Sequence, residues 1–309
     1  MGLNYDRVLV TGGMGFIGRH AVRSLQSLGS KVWVLDNLSG SQRPRNAHRL
    51  EFQFVKGDVR SKKTVRKLVR KVDAVVHLAA ILDQKMSVLD PALVSEVNVS
   101  GTVNVIESAR RARIHRVIFA SSAAVYGDLE RAYIPERSPL QPISSYGVSK
   151  LAGEQYCRVF NELFQVDVIS LRFFNVYGPG QSTGPYSGVI SRFIGRLKSR
   201  RPAVIYGDGA QTRDFVHVSD AVRAITSALG ARRCGGESFN VGTGRSTSIM
   251  ELYRLLARLT NAKVHPVYKP ERPGDIKTSC ADVTKAKERL GFQAAIPLEL
   301  GLRELLEKS

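Results

Sequence analysis

The chain has 309 residues, 43% of them hydrophobic and 24% charged, so it can bury a sizeable core in one large domain or two moderate ones. The formal net charge is +19, but the basic residues are dispersed, and the densest cluster, RSKKTVRKLVRK at 60–71, contains no aromatic residue. We therefore expect a solvated helix face there rather than nucleic-acid binding, with the surplus charge helping to attract an anionic small substrate.

The cysteines and the apolar runs exclude further classes. Cys157, Cys234 and Cys280 are widely spaced and odd in number, which fits neither a disulfide framework nor a zinc centre, and we expect no bound metal. The longest apolar runs, such as DAVVHLAAIL, are too short to span a bilayer, and MGLNYD leads directly into an apolar strand pattern. We therefore expect no signal peptide, no membrane association and a cytoplasmic location.

In chain order, short apolar runs alternate with helical patterns through the first half. The runs predict buried strands at 7–13, 31–36, 52–58, 73–80, 115–122 and 166–172, and the patterns between them predict helices at 16–29, 62–70, 90–112 and 146–163. Strands that alternate with helices favour a parallel sheet covered on both faces. The predicted fold class is therefore α/β, with a doubly wound parallel sheet.

The pattern loosens after residue 173. The segment NVYGPGQSTGPYSG is rich in glycine and proline, a helix is predicted near 187–199, and shorter strands and helices follow. We predict two domains, 1–173 and 174–309. The second is a smaller C-terminal α/β lobe, with segments near 206–240 returning to the first domain.

The glycines of TGGMGFIG lie between the first predicted strand and the first helix. Gly12, Gly15 and Gly18 occur where a dinucleotide pyrophosphate rests on a helix N-terminus. The next strand ends in Asp36, whose carboxylate would accept hydrogen bonds from the adenosine ribose and repel a 2′-phosphate. The segment predicts a Rossmann-type domain that binds NAD rather than NADP, with Asp58 of GDV beside the adenine.

The segment SSYGVSK places Tyr146 and Lys150 four residues apart at the start of a predicted helix, so that an ammonium group lies beside a phenol. A surface pairing explains most isolated Tyr-x-x-x-Lys segments. The alternative is a phenol that loses its proton easily. The surrounding motifs have to decide between these interpretations.

Eight motifs together resemble the extended short-chain dehydrogenase/reductase family and, within it, the nucleotide-sugar epimerases. They occur in the family's order at plausible intervals: TGGMGFIG, HLAA, SSAAVYG, YGVSK, LRFFNVYGPGQ, YGDGAQTRDFVHVSD, FNVGTG and RPGD. The resemblance extends over nearly the whole chain. It implies an NAD-binding first domain, a second lobe that binds a nucleotide sugar, and a UDP-sugar substrate.

The resemblance implies a catalytic set of Ser122, Tyr146 and Lys150. Tyr146 would be the general base, although a free tyrosine, with a pKa of about 10, is a poor base at neutral pH. The Lys150 ammonium and the positive nicotinamide ring of NAD⁺ both favour phenolate, so we predict a lowered pKa for Tyr146. Ser122, at the end of HRVIFASS, would hydrogen-bond the same sugar oxygen.

The matching motifs also imply which residues contact each ligand. Those predicted to bind NAD are Gly12, Gly15, Phe16, Ile17, Gly18, Asp36, Asn37, Leu38, Ser39, Asp58, Val59, Leu78, Ala79, Ala80, Asn98, Ser122, Tyr146, Lys150 and Phe174. Those predicted to bind the nucleotide sugar are Ser122, Tyr146, Asn175, Arg213, Arg272, Asp275 and Ser279. His77 lies within a predicted strand, where we expect a packed core residue.

The fold does not settle the reaction, because the family includes 4-epimerases, dehydratases, decarboxylases and reductases. Its dehydratases carry an Asp-Glu pair directly after the catalytic Ser or Thr, and its decarboxylases a Glu before VYG; here the residues are Ala123 and Ala124. Epimerisation needs neither acid, because the cofactor performs the difficult step. The resemblance therefore implies a UDP-glucose/UDP-galactose 4-epimerase with tightly bound NAD.

The sugar is less well defined. In family members, a bulky Tyr seven positions after the Arg of RPGD restricts the site to glucose and galactose, whereas Ser279 here leaves room for the N-acetyl group of UDP-GlcNAc or UDP-GalNAc. UDP-glucuronate 4-epimerase is an alternative, although such enzymes tend to carry an Arg in the loop after VYGPGQ, and this loop has none. Two departures from the family, ILDQKMSVLDP at 81–91 and Ala124, lie near the expected sugar.

Other classes stay open. Another nucleotide-sugar oxidoreductase would need exchangeable NAD(P)H, and a non-catalytic NAD-binding protein is disfavoured by the intact Ser122, Tyr146 and Lys150. Nucleic-acid binding rests on charge alone. By resemblance, the helices near 90–112 and 146–163 are the pair through which we expect a homodimer.

Overall fold

The computed structural model describes residues 5–40, 52–82, 84–114, 116–129, 131–181, 188–272 and 274–308. The strands in these ranges are β1 (Arg7–Thr11), β2 (Lys31–Asp36), β3 (Gln53–Lys56), β4 (Ala74–His77), β5 (Arg116–Ser122), β6 (Asp167–Phe173), β7 (Asn175–Tyr177), β8 (Val204–Tyr206), β9 (Thr212–Arg213), β10 (Phe215–His217), β11 (Ser238–Val241), β12 (Thr247–Ser248) and β13 (Val267–Lys269).

The helices in the same ranges are α1 (Phe16–Ser27), α2 (Lys62–Val69), α3 (Gln84–Leu89), α4 (Pro91–Ser95), α5 (Gly101–Arg111), α6 (Ser145–Phe164), α7 (Val189–Lys198), α8 (Val218–Gly230), α9 (Ile249–Leu259), α10 (Thr284–Leu290) and α11 (Leu298–Glu307). A π-helical turn, Glu96–Ser100, joins α4 to α5, and a 3-10 turn, Ala123–Val125, follows β5.

The main sheet, as far as the described ranges show it, has seven strands in the order β3-β2-β1-β4-β5-β6-β11, each parallel to its neighbours. The strand order reverses direction between β1 and β4. In open α/β sheets, ligands bind at such a reversal, outside the carboxyl ends of the strands. The predicted α/β class with a doubly wound parallel sheet is confirmed.

Alternate residues of β1 face opposite sides of the sheet. Val8 and Val10 join an apolar cluster with Leu25 of α1, whereas Leu9 joins a second cluster with Val65 of α2. Because both faces are covered by helices, the strand is an uninterrupted apolar run rather than an alternating one.

His77, at the end of β4, is buried in the core as predicted. Its Nδ1 lies 2.6 Å from Oγ1 of Thr11, and its Nε2 lies 3.0 Å from Oγ1 of Thr102. Burial, with the charge of Lys150 as a smaller cause, lowers the pKa of His77 to about 3. The ring is therefore neutral, and both of its nitrogen atoms are satisfied by protein hydroxyls.

The structure divides the predicted helix 90–112 into α4, the π-helical turn and α5. The first piece begins after Asp90, whose side chain accepts a 2.9 Å hydrogen bond from the N–H of Leu93. The π-helical turn contains Asn98, which bonds to residues of two other segments. The apolar periodicity predicts a helix through this region but does not reveal the change in hydrogen-bonding pattern.

The second half of the chain builds its own apolar cluster between α7, α9 and α11, which includes Ile190, Phe193, Leu252, Leu256 and Leu302. Around it lie the parallel pairs β7–β10 and β8–β13 and the antiparallel pair β9–β12. β11 pairs instead with β6 of the main sheet. The division into domains at residues 173 and 174 stays a prediction.

None of the helices in the described part of the chain is long and apolar enough to cross a membrane. Within the same ranges, no group of three or more His, Cys, Asp or Glu side chains is placed to hold a metal ion. The three cysteines, Cys157, Cys234 and Cys280, are buried and form no disulfide.

Candidate functional site

The turn between β1 and α1 requires glycine at two positions. Gly12 has φ +68, and a Cβ atom there would lie 2.7 Å from the backbone nitrogen of Ala79. A Cβ atom on Gly18 would overlap the carbonyl oxygen of Gly12. The glycines therefore let the turn and the start of α1 pack directly against the end of β4, leaving backbone N–H groups at an uncapped helix N-terminus at Gly15.

Asp36 ends β2 with its carboxylate directed at this turn. One carboxylate oxygen accepts a 2.9 Å hydrogen bond from the N–H of Met14, and the other a 2.8 Å bond from the N–H of Leu38. Leu38 itself has φ +63, in the left-handed region, so the chain turns sharply directly after this bond. The backbone bonds fix the carboxylate and leave lone pairs on both oxygens for ribose hydroxyls.

The residues after β2 and β3 are joined to each other. The side chain of Asn37 donates a 3.0 Å hydrogen bond to Asp58 and accepts one of 3.0 Å from the N–H of Ser39. Asp58 also forms an ion pair with Arg60. Val59 is buried in the core. The structure therefore brings Asn37, Ser39 and Asp58 together at the mouth of the glycine turn, with Val59 behind them.

The glycine turn, Asp36 and the residues that follow β4 border the region that we call the crevice. The remaining apolar residues predicted to contact NAD lie around it. Phe16 and Ile17 in the first turn of α1 are half-buried, as are the three residues after β4, Leu78, Ala79 and Ala80. Phe174, after β6, is buried against the ring of Tyr126, with ring centroids 6.4 Å apart. All of them follow the carboxyl ends of parallel strands or begin α1.

Asn98 is directed into the protein. Its Oδ1 accepts a 2.8 Å hydrogen bond from the N–H of Ile81, and its Nδ2 donates to the carbonyl oxygen of Ile81 and to Oγ of Ser149. Both amide hydrogens are thus used by the protein. Asn98 holds the segment after β4 against α6, and its predicted direct contact with NAD stays a prediction.

Ser122, Tyr146 and Lys150 come together where β5 ends and α6 begins. Helix α6 is capped by Ser144, whose side chain accepts a 3.1 Å bond from the N–H of Gly147. The Tyr146 hydroxyl is hydrogen-bonded to Ser122. Lys150 is buried, and its Nζ donates a 2.7 Å bond to the carbonyl oxygen of Ala120 and lies 5.8 Å from the centroid of the Tyr146 ring.

The protein groups alone do not lower the pKa of Tyr146. Burial raises it to about 12, and the hydrogen bond from Ser122 offsets only part of this. In the described residues, Nζ of Lys150 donates to the main chain of β5 and not to the phenol. Burial lowers the pKa of Lys150 to about 8, partly offset by Cys157 and Glu154. The lysine is mostly an ammonium at pH 7.

Two of the residues predicted to bind the substrate are paired with each other. Nη2 of Arg213 donates a 2.6 Å hydrogen bond to Asp275, and its Nη1 donates one of 2.6 Å to the carbonyl oxygen of Ile276. Arg272 is exposed, with its guanidinium carbon 3.7 Å from the centroid of the Tyr206 ring. Arg213 keeps Nε–H and one Nη2–H for other partners, so the pair with Asp275 leaves it able to bind an anion.

Asn175 and Ser279 are two further residues that were predicted to bind the substrate. Asn175 is exposed at the start of β7, with its N–H bonded to the carbonyl oxygen of Asp214 at 2.9 Å. Ser279 is only 6% exposed. It precedes Cys280, whose sulfur lies 4.0 Å from Asp214. The small side chain is therefore enclosed at the inner end of the region.

Asp214 is a further residue of the site that the sequence analysis missed. Its buried carboxylate accepts hydrogen bonds from the N–H and hydroxyl of Thr243, from Gly244 N–H and from Ala281 N–H, at 2.6 to 3.2 Å. It thereby ties Arg213 and Asn175 to the segment that carries Ser279. The signal was present in QTRDF, but the partners lie 29 or more residues away.

Arg192, on α7, was also missed. It is half-buried, and its Nε is shielded from solvent without a hydrogen-bond partner among the described residues. Burial and the charge of Arg272 lower its pKa, whereas Tyr206 and Asp275 act in the opposite direction. Arg192 is thus electrostatically coupled to both residues of RPGD that were predicted to bind substrate.

A model of the NAD dependent epimerase/dehydratase family matches residues 8–242. The chain belongs to this family. A UDP-glucose 4-epimerase of Mycolicibacterium smegmatis is 39% identical over 97% of both chains. A crystal structure of UDP-glucose 4-epimerase from Thermotoga maritima with UDP-glucose has TM-score 0.93 and 35% identity, covering 98% of each chain. MoeE5 in complex with UDP-glucuronic acid and NAD has TM-score 0.89 and 36% identity, covering 97% of this chain and 98% of that one.

The cofactor of this family, NAD, fits the crevice of this chain. Gly12 lacks a Cβ where the backbone of Leu78 and Ala79, directly after β4, leaves no space for one. The N-terminus of α1 has neither a capping side chain nor an acidic residue in its first turn. A pyrophosphate can approach such a helix end closely. Asp36, fixed by two backbone N–H groups, is placed for a ribose diol and unsuited to a 2′-phosphate.

Proposed function

We propose that the chain is a UDP-sugar 4-epimerase that interconverts UDP-glucose and UDP-galactose through a transient 4-keto sugar. The observation that carries the proposal is that Ser122, Tyr146 and Lys150 come together at the end of β5. Ser122 is followed directly in the sequence by Ala123 and Ala124. A base and a hydrogen-bond partner are present for the C4 hydroxyl. No carboxylate follows Ser122 at these two positions to assist dehydration or decarboxylation.

In the proposed mechanism, Tyr146 removes the proton of the C4 hydroxyl, and Ser122, already hydrogen-bonded to the phenol, binds the same sugar oxygen. When bound, NAD would supply the hydride acceptor for C4 and the hydride that is given back to the opposite face of the same carbon, so that C4 is inverted without net redox change. Lys150, held by the carbonyl oxygen of Ala120, contributes a positive charge behind the phenol ring. Residues Gly12, Gly15 and Asp36 would hold the cofactor.

The residues proposed to bind the nucleotide diphosphate are Arg213, Arg272 and Asn175. A guanidinium fork suits phosphate oxygens, and Arg213 retains unused N–H groups beside its pair with Asp275. Ser279 is small where relatives restricted to glucose and galactose carry a bulky Tyr, so we propose activity on UDP-GlcNAc and UDP-GalNAc as well.

One observation favours UDP-glucuronate as a second candidate substrate. The sequence has no arginine in the loop after VYGPGQ, but Arg192 follows on α7, half-buried and with an unpartnered Nε within the described part of the chain. A uronate carboxylate could accept a charge-assisted hydrogen bond from this Nε–H of Arg192. MoeE5, which was crystallised with UDP-glucuronic acid, is among the proteins that this chain resembles.

We also propose a homodimer formed through α6 and the helical segment near 90–112, which consists of α4, the π-helical turn and α5. Val148, Tyr156 and Leu163 recur at seven- and eight-residue spacing on the outer side of α6, and they are 54%, 41% and 67% exposed. Phe164 extends this apolar surface. A Leu163→Glu variant should sediment as a monomer, and a wild-type protein that is already monomeric would contradict the proposal.

A cytoplasmic location stays a prediction.

The experiment that tests the function incubates purified protein separately with UDP-galactose, UDP-GlcNAc and UDP-glucuronate, without added cofactor. The proposal expects a C4 epimer from UDP-galactose, with the rate lowered by about 100-fold or more in Tyr146→Phe. No epimer from any of the three, even with NAD added, would refute it.

The two candidate substrates are separated by Arg192→Met, with Arg196→Met on the same helix as the matched control. Arg196 is exposed and bonds only to the carbonyl oxygen of Pro202 in the described residues. If uronate is the substrate, Arg192→Met should lower kcat/KM for UDP-glucuronate and leave that for UDP-galactose nearly unchanged. Equal losses for both would point to a diphosphate contact instead.

A further inference from the structure

The end of β5, where Ser122 lies, is held by two side chains of α6 that are one helical turn apart. Lys150 donates to the carbonyl oxygen of Ala120, and Glu154 accepts a hydrogen bond from the hydroxyl of Ser121. The two bonds engage consecutive residues of β5 directly before Ser122. Helix and strand are thereby locked in register at the point where Ser122 must meet Tyr146.

Glu154 is itself fixed from the other side. It is 5% exposed and forms a buried ion pair with Arg172 of β6, whose Nη2 lies 2.7 Å from Oε2. Nε of Arg172 donates to the same carboxylate, and the hydroxyl of Ser238 on β11 donates a third contact at 3.1 Å. The carboxylate therefore has partners on β5, β6 and β11, which is far more than a surface helix position needs.

The contacts continue from Arg172 to the segment that carries Ser279. Nη1 of Arg172 donates to the hydroxyl of Tyr126 at 2.9 Å, and this hydroxyl donates to Asn240 at 2.7 Å. Asn240 donates to the carbonyl oxygen of Ile134, whose N–H bonds to the carbonyl oxygen of Cys280. An unbroken set of buried hydrogen bonds thus joins the helix of the catalytic residues to the residue next to Ser279.

We propose that Glu154 is a positioning residue for the reaction: held by Arg172, it fixes the end of β5 that presents Ser122 and keeps a negative charge one turn from the Lys150 ammonium. The inference rests on the proposed function, because it assigns Glu154 a role toward Ser122, Tyr146 and Lys150. Glu154 would act by holding other residues in place and would not contact substrate or cofactor, because its side chain is buried.

The charges around Lys150 define what the loss of Glu154 should do. Tyr146 and Cys157 face it from α6, His77 from β4, and Arg172 lies on the far side of Glu154. Neutralising Glu154 leaves Arg172 unbalanced. A more positive surrounding makes the Lys150 ammonium easier to deprotonate and the Tyr146 phenolate easier to form, so both pKa values should fall.

The test compares Glu154→Gln with wild type in the NAD-containing enzyme, measuring kcat against pH with the preferred UDP-sugar. We expect both limbs of the profile to move to lower pH by about 0.5 unit or more. Limbs at their wild-type positions, with only a lower plateau, would mean a merely structural role and would overturn the proposal. Glu162→Gln, which breaks the exposed Arg158–Glu162 pair on the same helix, is the control and should change neither.

A buried Arg172 without its partner is costly, and Glu154→Gln risks failing to fold. In that case the Ser121→Ala variant tests the proposal. It keeps the Arg172–Glu154 ion pair and removes only the hydrogen bond that Ser121 of β5 donates to Glu154. We expect kcat to fall by about threefold or more, with KM and retained NAD unchanged. An unchanged kcat would overturn the proposal. Wild-type protein without epimerase activity would count against the proposed function, whereas an active wild type with indifferent variants would count against Glu154 alone.

Discussion

The nucleotide end and the substrate end of the molecule are built in different ways. At the nucleotide end, the turn after β1, Asp36 and the segment after β4 meet at one edge of one sheet, and Asp36 reaches Met14 across only 22 positions of sequence. At the substrate end, Arg213 pairs with Asp275 across 62 positions, and Asp214 reaches Ala281 across 67. The proposed NAD site is thus built from a local motif on one sheet, and the proposed substrate site from distant segments tied together by buried polar groups.

The largest expected effect is that of a substitution at Gly12 in the nucleotide end, which should cause loss of the bound cofactor. Gly12→Ala adds a Cβ at 2.7 Å from the Ala79 nitrogen in a backbone with φ +68. We expect NAD released from the denatured protein to fall by about tenfold or more, because the turn must move away from β4. Cofactor content is measured by chromatography of the denatured supernatant.

Gly29→Ala is the matched control for that prediction. Gly29 also has a positive φ, +90, but a Cβ there meets nothing within 4 Å. It should lose about 1 kcal/mol of stability from backbone strain and keep its NAD. Equal cofactor loss in both variants would show that strain, rather than the close approach to β4, determines binding.

The next effect in size is at Asp214, and it should separate the two ends. In Asp214→Asn, an NH₂ group must face donors from Thr243, Gly244 and Ala281, so we expect about 2–4 kcal/mol lower stability and a raised KM for the UDP-sugar. Retained NAD should stay at the wild-type level. Asp208→Asn, which alters an exposed turn carboxylate, should change none of the three. Loss of NAD from Asp214→Asn would break the distinction between the two ends.

A smaller effect is expected from pH. Burial lowers the pKa of Lys150 from its ordinary value to about 8, so the ammonium predominates below that pH and is lost as pH rises through it. Epimerase activity should therefore decline above pH 8 without loss of bound NAD. Lys150→Arg, which stays charged, should have a lower rate but no decline in that range. A decline that persists in Lys150→Arg would assign it to another group.

The smallest effect is expected at the surface of the C-terminal helix. Glu299 pairs with Arg258 and Arg303, and all three side chains are exposed. Glu299→Gln should leave the free energy of unfolding close to its wild-type value, because water and salt screen such pairs. Its KM and NAD content set the baseline against which the Asp214 variants are judged. A shift in KM here would indicate that the lobe responds to any perturbation.

The same contrast explains what the sequence could predict. Strand ends and the glycine turn follow from local motifs and from the order of a parallel sheet, whereas the meeting of Ser122 with Tyr146 was predicted from the family resemblance. Asp214 and Arg192 could not be predicted, because their importance depends on partners in other segments. Lys150 was predicted beside the phenol, yet its Nζ donates to the carbonyl oxygen of Ala120. Helical spacing predicts that two residues share a face but does not reveal which third group competes for a hydrogen bond.

The pairing of β11 with β6 has a consequence for synthesis. Ribosomes deliver β6 about 65 residues before β11, and until then the outer edge of DVISLRF has no partner strand. An apolar edge of this kind invites pairing with other chains. A fragment that ends near residue 173 would carry that open edge permanently. Until Ser238–Val241 emerges the edge stays open, so we expect the part of the chain before residue 174 to depend on the later part to avoid edge-to-edge association while it is made.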